Sequence, residues 1–374
     1  MFKNLFKNYI YPAVVFAGGM VGVGFLSLPY VAQKAGIWVA VIYFVVLTGI
    51  MLAINLIFCQ ISLKTPDYKR FPGFAKYHLG RWGGIIALML TIVGAIGALL
   101  VFLIVGSEFL SDVFSPALGG GVLFYTFVYF IAAGIIVYLG IKIISRAEFW
   151  ILALLVLSLI FIFIGGFSSI KISNIFIANP NFQLSNLFLP YGAILFAMWA
   201  VGIIPEVEEM LEGRKQLLKP SIILATISVS IFYFLFVLLV LSITGSQTTE
   251  IALIGLQNFL GKGLVGTALI AGALATFAAF ITQGIILKKV FIYDLGLKHW
   301  QAFVMTCFTP LILLLLGLNS FMPLISFFGG VLFGIFGIMI LLMYKKIGGK
   351  KIIIYPLSLI FLLGVIYEII YFIK

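Results

Sequence analysis

The chain has 374 residues, 64% of them hydrophobic and only 9% charged, with a mean hydropathy of +1.28. Soluble domains average about 25% charged residues, so this composition excludes a water-soluble globular protein. The net charge of +12 sits in the connections between apolar runs, which argues against a nucleic-acid-binding surface.

A helix needs about 20 apolar residues to cross roughly 30 Å of hydrocarbon. Eleven segments meet that need, at 9–34, 37–63, 83–112, 121–140, 148–166, 188–210, 220–244, 264–289, 300–317, 321–343 and 352–372. The two-residue alternation of a membrane β-barrel is absent, so an all-α polytopic membrane protein is expected. Basic residues favour cytoplasmic loops. With the N-terminus inside, only Lys34, Lys171, Lys262 and Lys374 of the 23 Lys and Arg fall outside. That distribution predicts a multi-pass protein of the plasma membrane with a cytoplasmic N-terminus and an external C-terminus. Its inner basic residues would face anionic lipid headgroups.

The first segment carries Gly18, Gly19, Gly22 and Gly24 in mid-span. Each glycine inside a helix costs roughly 1 kcal/mol relative to alanine. Backbone released from a helix at membrane depth is tolerated only when packed in protein or lining a cavity. A helix broken over 18–24 is therefore expected, with its freed N–H and C=O groups available to a solute. In the second segment Cys59, like Cys307 in the ninth, reads as a small core residue. The polar stretch Lys64–Trp82 has Phe71, Phe74 and Tyr77 at helical spacing, which predicts a short helix on the membrane surface. The outer loops 168–186 and 245–263 are rich in Ser, Thr, Asn and Gln and are candidates to cap an outward vestibule.

Segment six contains Trp199, Gly202 and Pro205. Proline removes a donor and clashes with the carbonyl four residues earlier, so a second break is expected over 199–205. Segments one and six each begin a run of five. Because five is odd, the second run enters the membrane from the opposite side. The expected organisation is an inverted repeat: 9–166 as the first five-helix repeat, 188–343 as the second, and 352–372 as an additional eleventh helix. Corresponding broken helices in two such halves are the best pointer that a sequence gives to a transport site.

At these residues the chain resembles the amino acid/auxin permease family, within the amino acid–polyamine–organocation superfamily. The stretch GVGFLSLPY at 22–30 resembles that family's first-helix pattern, and IIPEVEEM at 203–210 resembles its sixth-helix pattern. Asp294-Leu295-Gly296-Leu297-Lys298 is similar as well. The resemblance spans the whole chain and implies a LeuT-type fold, a 5+5 inverted repeat and secondary active transport by alternating access.

A zwitterionic amino acid needs donors for its carboxylate and acceptors for its ammonium. The outer half of segment one begins with free N–H groups at the positive end of a helix dipole, which assigns Gly22, Val23 and Gly24 to the carboxylate. The inner half is expected to end near Ala17, Gly18 and Gly19, whose carbonyls would take the ammonium together with those of Phe196, Ala197 and Trp199. Phe196 and Trp199 also offer aromatic walls. No charged side chain lies at mid-depth in segments one, three, eight or ten, and an unpaired buried charge is costly. The expected substrate is a neutral amino acid, apolar or aromatic.

Charged residues within spans are few and are functional by default. Glu108 and Asp112 lie toward the outer end of segment three, Glu148 opens segment five, and Glu368 lies in segment eleven. Glu206, just past the second break, is the deepest in a repeat helix. It reads as a proton carrier, or else Glu206, Glu208 or Glu209 pairs with Lys and Arg of the inner loops as a closed gate. In LeuT-type carriers a sodium ion often sits between the first helix and hydroxyls of the eighth. Here that region has Ala278-Ala279 flanked by Thr276 and Thr282, a departure that favours proton coupling or exchange over sodium symport. No cofactor is expected beyond H+ or, alternatively, Na+, and no obligate protein partner is evident. A carrier for another small organic solute is a further alternative. A channel lacks its filter-like or charged-ring segment. An enzyme lacks a catalytic cluster, since the only histidines, His78 and His299, are far apart and cytoplasmic in this topology.

Overall fold

The computed structural model describes residues 11–67, 69–140, 145–176, 184–211 and 213–373. Glu148 has no described side chain, and Lys374 lies outside the described residues. All regular structure among the described residues is helical. Among the described residues eight helices are long and apolar enough to cross a membrane, or nine if Pro12–Met20 and Val23–Ala35, bent by 53° at their junction, count as one span. Shorter apolar helices, Ala153–Gly165 and His299–Leu315, lie where the fifth and ninth segments were expected.

Helix Phe71–Leu118 joins the expected surface helix to segment three. Its turning point is Gly80, whose φ of 79° lies in the region that glycine enters without a Cβ clash. The preceding helix does not lie on lipid with all three aromatic residues, as the spacing had suggested. Phe71 and Phe74 are buried while Tyr77 is exposed. Phe58 of segment two stacks on Phe71 at 5.7 Å and meets Phe74 edge-on at 5.2 Å, and Phe336 of segment ten packs on Phe71 at 4.6 Å. Aromatic pairs add to simple area burial, so these rings are better satisfied by protein than by headgroups.

The chain divides into two compact units. The first takes in Met1–Thr91, Pro180–Val237 and Ile325–Lys374, and so holds segments one, two, six, ten and eleven with most of seven. Its segment ten is not a uniform helix: a π-helical stretch, Phe328–Leu332, interrupts it between Phe321–Phe327 and Phe333–Lys346. There Gly329 approaches the carbonyl of Gly192 so closely that a side chain has no room.

The second unit takes in Ile92–Asn179 and Leu238–Leu324, with segments four, five, eight and nine and most of three. Its core gathers Leu99, Leu103, Tyr129, Phe280 and Cys307. Segment four ends at Gly140, with φ 68°. There Lys288 of segment eight donates to the carbonyls of Val137 and Tyr138, a cation closing the negative end of a helix. The loop after segment five packs on the end of segment seven: Lys171 N–H donates to the Ser242 carbonyl at 3.0 Å, and the Asn174 amide donates to the same oxygen at 3.0 Å. Cys59 and Cys307 are both buried free thiols, as core packing requires.

Candidate functional site

The two expected breaks exist, and both fall in the first unit. In segment one the inner helix runs Tyr11–Met20, past the expected end near Ala17–Gly19. The reason is local: Val21 N–H reaches the Ala17 carbonyl at 2.9 Å, which keeps that carbonyl inside the helix. Gly22 then adopts φ −112°, ψ −163°, and a 3-10 turn, Val23–Ser27, leads into the outer helix Leu28–Ala35. Pro29 stands in the first turn of that helix, where its missing N–H has no helical partner to lose.

Segment six repeats the device. Helix Leu189–Met198 gives way to extended Trp199 (φ −74°, ψ 117°), then to a 3-10 turn, Val201–Ile203, and the inner helix Ile204–Met210. The interruption is at Trp199 and Ala200, upstream of Gly202 and Pro205. Pro205 opens the inner helix from its first turn and does not clash within a continuous one.

The two breaks lie side by side. A Cβ on Gly24 would stand 2.6 Å from Phe196 Cδ1 and 3.1 Å from Ala197 Cα, and one on Gly19 would run into Ile203. Outer residues meet outer residues and inner meet inner, so the segments cross antiparallel with their breaks level. Tyr233 of segment seven binds both. Its buried hydroxyl lies 3.0 Å from the Met20 carbonyl and 3.2 Å from the Ala197 carbonyl, while its ring stacks on Phe25 at 5.6 Å.

Around this crossing the glycines differ. Gly22 and Gly202 are exposed, and neither has an atom within 4 Å of an added Cβ. Both rim open space, whereas Gly24 and Gly19 are packing contacts. Neither Gly22 nor Gly24 has a positive φ, so a left-handed backbone is not what selects glycine here. The Gly22 N–H is bonded to the Met20 carbonyl at 3.0 Å. The N–H groups of Val23 and Gly24 open the 3-10 turn, where no residue within the turn can accept them.

On the acceptor side, the Phe196 carbonyl takes the Trp199 N–H only weakly, at 3.4 Å. Half-buried Trp199 stacks flat on Phe333 of segment ten at 4.5 Å, and Phe196 lies on the same ring at 5.8 Å. Gly18 is half-buried in the last turn of the inner helix. The paired breaks therefore bring N–H donors, carbonyl acceptors and stacked aromatic rings to one region of the first unit, with no charged side chain needed.

The expected coupling residues are placed less simply. Glu206 is paired with Arg70, and both are partly exposed. Glu208, two residues further along the same helix and buried, accepts from Ser62 and from Lys215 Nζ at 2.8 Å. In the second unit the buried Thr276 hydroxyl donates to its own helix at the Ala273 carbonyl, 2.9 Å away. Thr282 is half-buried on the same helix.

Three contributors escaped the sequence reading. Tyr233 and Phe333 are aromatics in apolar runs and carried no signal of their own. Asn55 did carry one, as an amide inside a span. It is fully buried, with both amide atoms lacking a hydrogen-bond partner. Thr48, Asn55 and Ser62 are seven residues apart and share a face of segment two. Thr48 touches Met198 and Ser62 touches Glu208, which sets Asn55 at the level of the second break.

A family model described as the tryptophan/tyrosine permease family matches residues 7–280. The chain belongs to that family. It is a transporter of neutral amino acids and not an enzyme. The family shown is this one, where the motifs alone had suggested amino acid/auxin permeases.

Solved structures share the fold. A complex of MhsT with L-phenylalanine aligns at TM-score 0.58 and 14% identity, over 97% of each chain. The manganese transporter of Eremococcus coleocola aligns at 0.67 and 14%, over 100% of this chain and 87% of its own. Inward-facing Mhp1 aligns at 0.65 and 14%, over 97% and 88%. The fold is thus of the LeuT type expected from the motifs. No curated protein sequence gave a significant match.

Proposed function

We propose that this permease carries aromatic amino acids, tryptophan or tyrosine, across the plasma membrane by alternating access, with the substrate held at the paired breaks. The observation that carries the reading is the crossing of segments one and six beside the open space at Gly22, walled by Trp199 on Phe333. In this reading Val23 and Gly24 N–H groups hold the carboxylate with Gly22 as the bare floor beside them. The carbonyls of Gly18, Gly19, Phe196 and Trp199 surround the ammonium, and the stacked rings receive the side chain. The MhsT fold relative was solved with an aromatic amino acid, which agrees with this choice.

The inverted repeat of 9–166 and 188–343 is supported by how the units are composed. Segments one and six, and two and most of seven, fall in one unit, while most of three with eight, and four with nine, fall in the other. A cytoplasmic N-terminus and external C-terminus rest on the basic loops, and kinship with amino acid/auxin permeases rests on the first- and sixth-helix motifs.

Coupling to protons is favoured over sodium because Ala278 and Ala279 stand where sodium-coupled LeuT-type carriers tend to have adjacent hydroxyls. One charge moving through 100 mV gains about 2.3 kcal/mol, enough for roughly fifty-fold accumulation. The test is uptake of labelled tryptophan and tyrosine into vesicles holding the purified chain, under a pH gradient or a sodium gradient, against a panel of competing amino acids. Competition by aromatic residues and drive by the pH gradient are expected. Competition by Lys, Arg, Asp or Glu alone would refute the substrate class, and a strict sodium requirement would refute the coupling.

A further inference from the structure

The carboxylates of the first unit are unequally provided for. Asp67 lies 3.5 Å from Lys69, Glu206 is paired with Arg70, and Glu208 is held by Lys215 and Ser62. Glu209 is exposed. Glu368, in segment eleven, is buried, yet no ion pair or hydrogen bond among the described residues engages its carboxyl.

Its surroundings are built for it. The carboxyl lies against the bare Cα of two glycines. A Cβ on Gly192 of segment six would stand 2.8 Å from Glu368 Oε1, and one on Gly330 would stand 2.9 Å from its Cδ. Gly330 belongs to the π-helical stretch of segment ten, and such stretches are frequent at functional sites. Two hydroxyls nearby are buried without a partner. Ser326 sits against Gly192, and the Tyr191 hydroxyl lies against Gly364, one turn from Glu368. Tyr43 of segment two, Tyr191 of segment six and Tyr367 on the same helix are the titratable groups within electrostatic reach. No lysine or arginine joins them among the described contacts of this carboxyl.

We propose that Glu368 is the residue that carries the coupling proton. The proposal rests on the proton-coupled reading above and moves the proton from Glu206, whose charge Arg70 already balances. An ionised carboxylate at this place is an unpaired charge in apolar surroundings, and such burial is costly. A proton taken from water converts it to a neutral acid that fits the packing observed. Loss of the proton to water leaves an acceptor-only group that needs donors. The idle hydroxyls of Tyr191 and Ser326 are the donors at hand. Recruiting them changes how the outer half of segment six packs against segment ten. Since segment six also forms one side of the substrate opening, the proton and the substrate act on one helix.

The test uses the full chain in vesicles and compares wild type, E368Q and E368D. Wild type should accumulate tryptophan about tenfold under a gradient of about one pH unit, for one proton per substrate. E368Q should lose that accumulation while its tryptophan exchange at equal pH stays within about twofold of wild type and loses its pH dependence. E368D should recover part of the gradient-driven uptake. Infrared difference spectra between low and high pH should contain a protonated-carboxyl band that E368Q lacks. Gradient-driven uptake by E368Q at the wild-type level, or an unchanged carboxyl band, would overturn the assignment. Wild-type uptake driven only by sodium would overturn the proton reading itself, a different result from the failure of Glu368 alone. Should E368Q fold poorly, the infrared band in wild type and its shift in E368D decide the matter, and absence of any such band counts against the proposal.

Discussion

The hydroxyl of Tyr233 donates to the carbonyl of Met20 across 213 residues of chain. It reaches the last residue of the inner half of segment one, while the Ala197 carbonyl beside it belongs to the end of the outer half of segment six. One phenol proton thus serves two helix ends that expose carbonyls at membrane depth, where an unmet polar group is expensive.

Tyr233→Phe should leave two buried carbonyls without this donor at a cost of about 1–3 kcal/mol. Because the proposed substrate site lies at these helix ends, tryptophan affinity is expected to fall about tenfold, corresponding to about 1.4 kcal/mol. The ring stack on Phe25 is retained, so the chain should still reach the membrane. Equilibrium binding to purified wild type and variant checks this, and equal affinities would show that the hydroxyl only decorates the crossing.

The glycines of the first break separate into two kinds, and substitution should reveal the difference. Gly22 is extended and faces open space, so Gly22→Ala should fold normally and Gly22→Leu should abolish uptake at normal membrane levels. Gly24 abuts Phe196 and the backbone of Ala197, so Gly24→Ala should lower folded yield, with overpacking costing about 1–3 kcal/mol. Quantitative membrane blots beside uptake assays distinguish the two. Normal yield for Gly24→Ala, or normal uptake by Gly22→Leu, contradicts the assignment.

Arg70 and Glu206 form a partly exposed pair, and such pairs are worth about 0–1 kcal/mol. Glu206→Gln should therefore change the uptake rate by no more than about fivefold and leave the pH gradient effective. A double-mutant cycle of Arg70→Ala with Glu206→Ala should give a coupling below about 1 kcal/mol. Complete loss of gradient-driven uptake in Glu206→Gln would restore Glu206 as the proton carrier.

Asn55→Leu replaces an orphaned buried amide by an apolar group of similar size, a change that is near neutral or stabilising where the amide has only a structural place. Thermal stability should therefore hold or rise. Transport should nevertheless fall, because the amide stands at the level of the second break with unmet donor and acceptor capacity. Wild-type transport by the variant would make Asn55 a tolerated misfit and no more.

Much of this architecture is legible in the sequence. Glycines and prolines in apolar spans mark breaks because their costs are local, and the basic loops mark the count of spans for the same reason. The exact positions of the breaks were less legible. The Val21 to Ala17 bond and the placement of Pro205 in a helix's first turn depend on how each half-helix ends. Tyr233, Phe333 and the surroundings of Glu368 were not legible, since they arise from contacts between residues far apart in the chain. Phe71 and Phe74 misled for a related reason: an amphipathic face reads the same whether lipid or protein covers it.

The place proposed for an aromatic amino acid is the open space at Gly22 beside the crossing of segments one and six. Binding of labelled tryptophan to the purified chain, with Gly22→Leu as the paired sample, tests it most directly. The account predicts saturable binding to wild type, displaced by tyrosine and phenylalanine but not by lysine or glutamate, and none to Gly22→Leu in spite of an unchanged melting profile. Undiminished tryptophan binding by Gly22→Leu would place the substrate elsewhere and contradict the account.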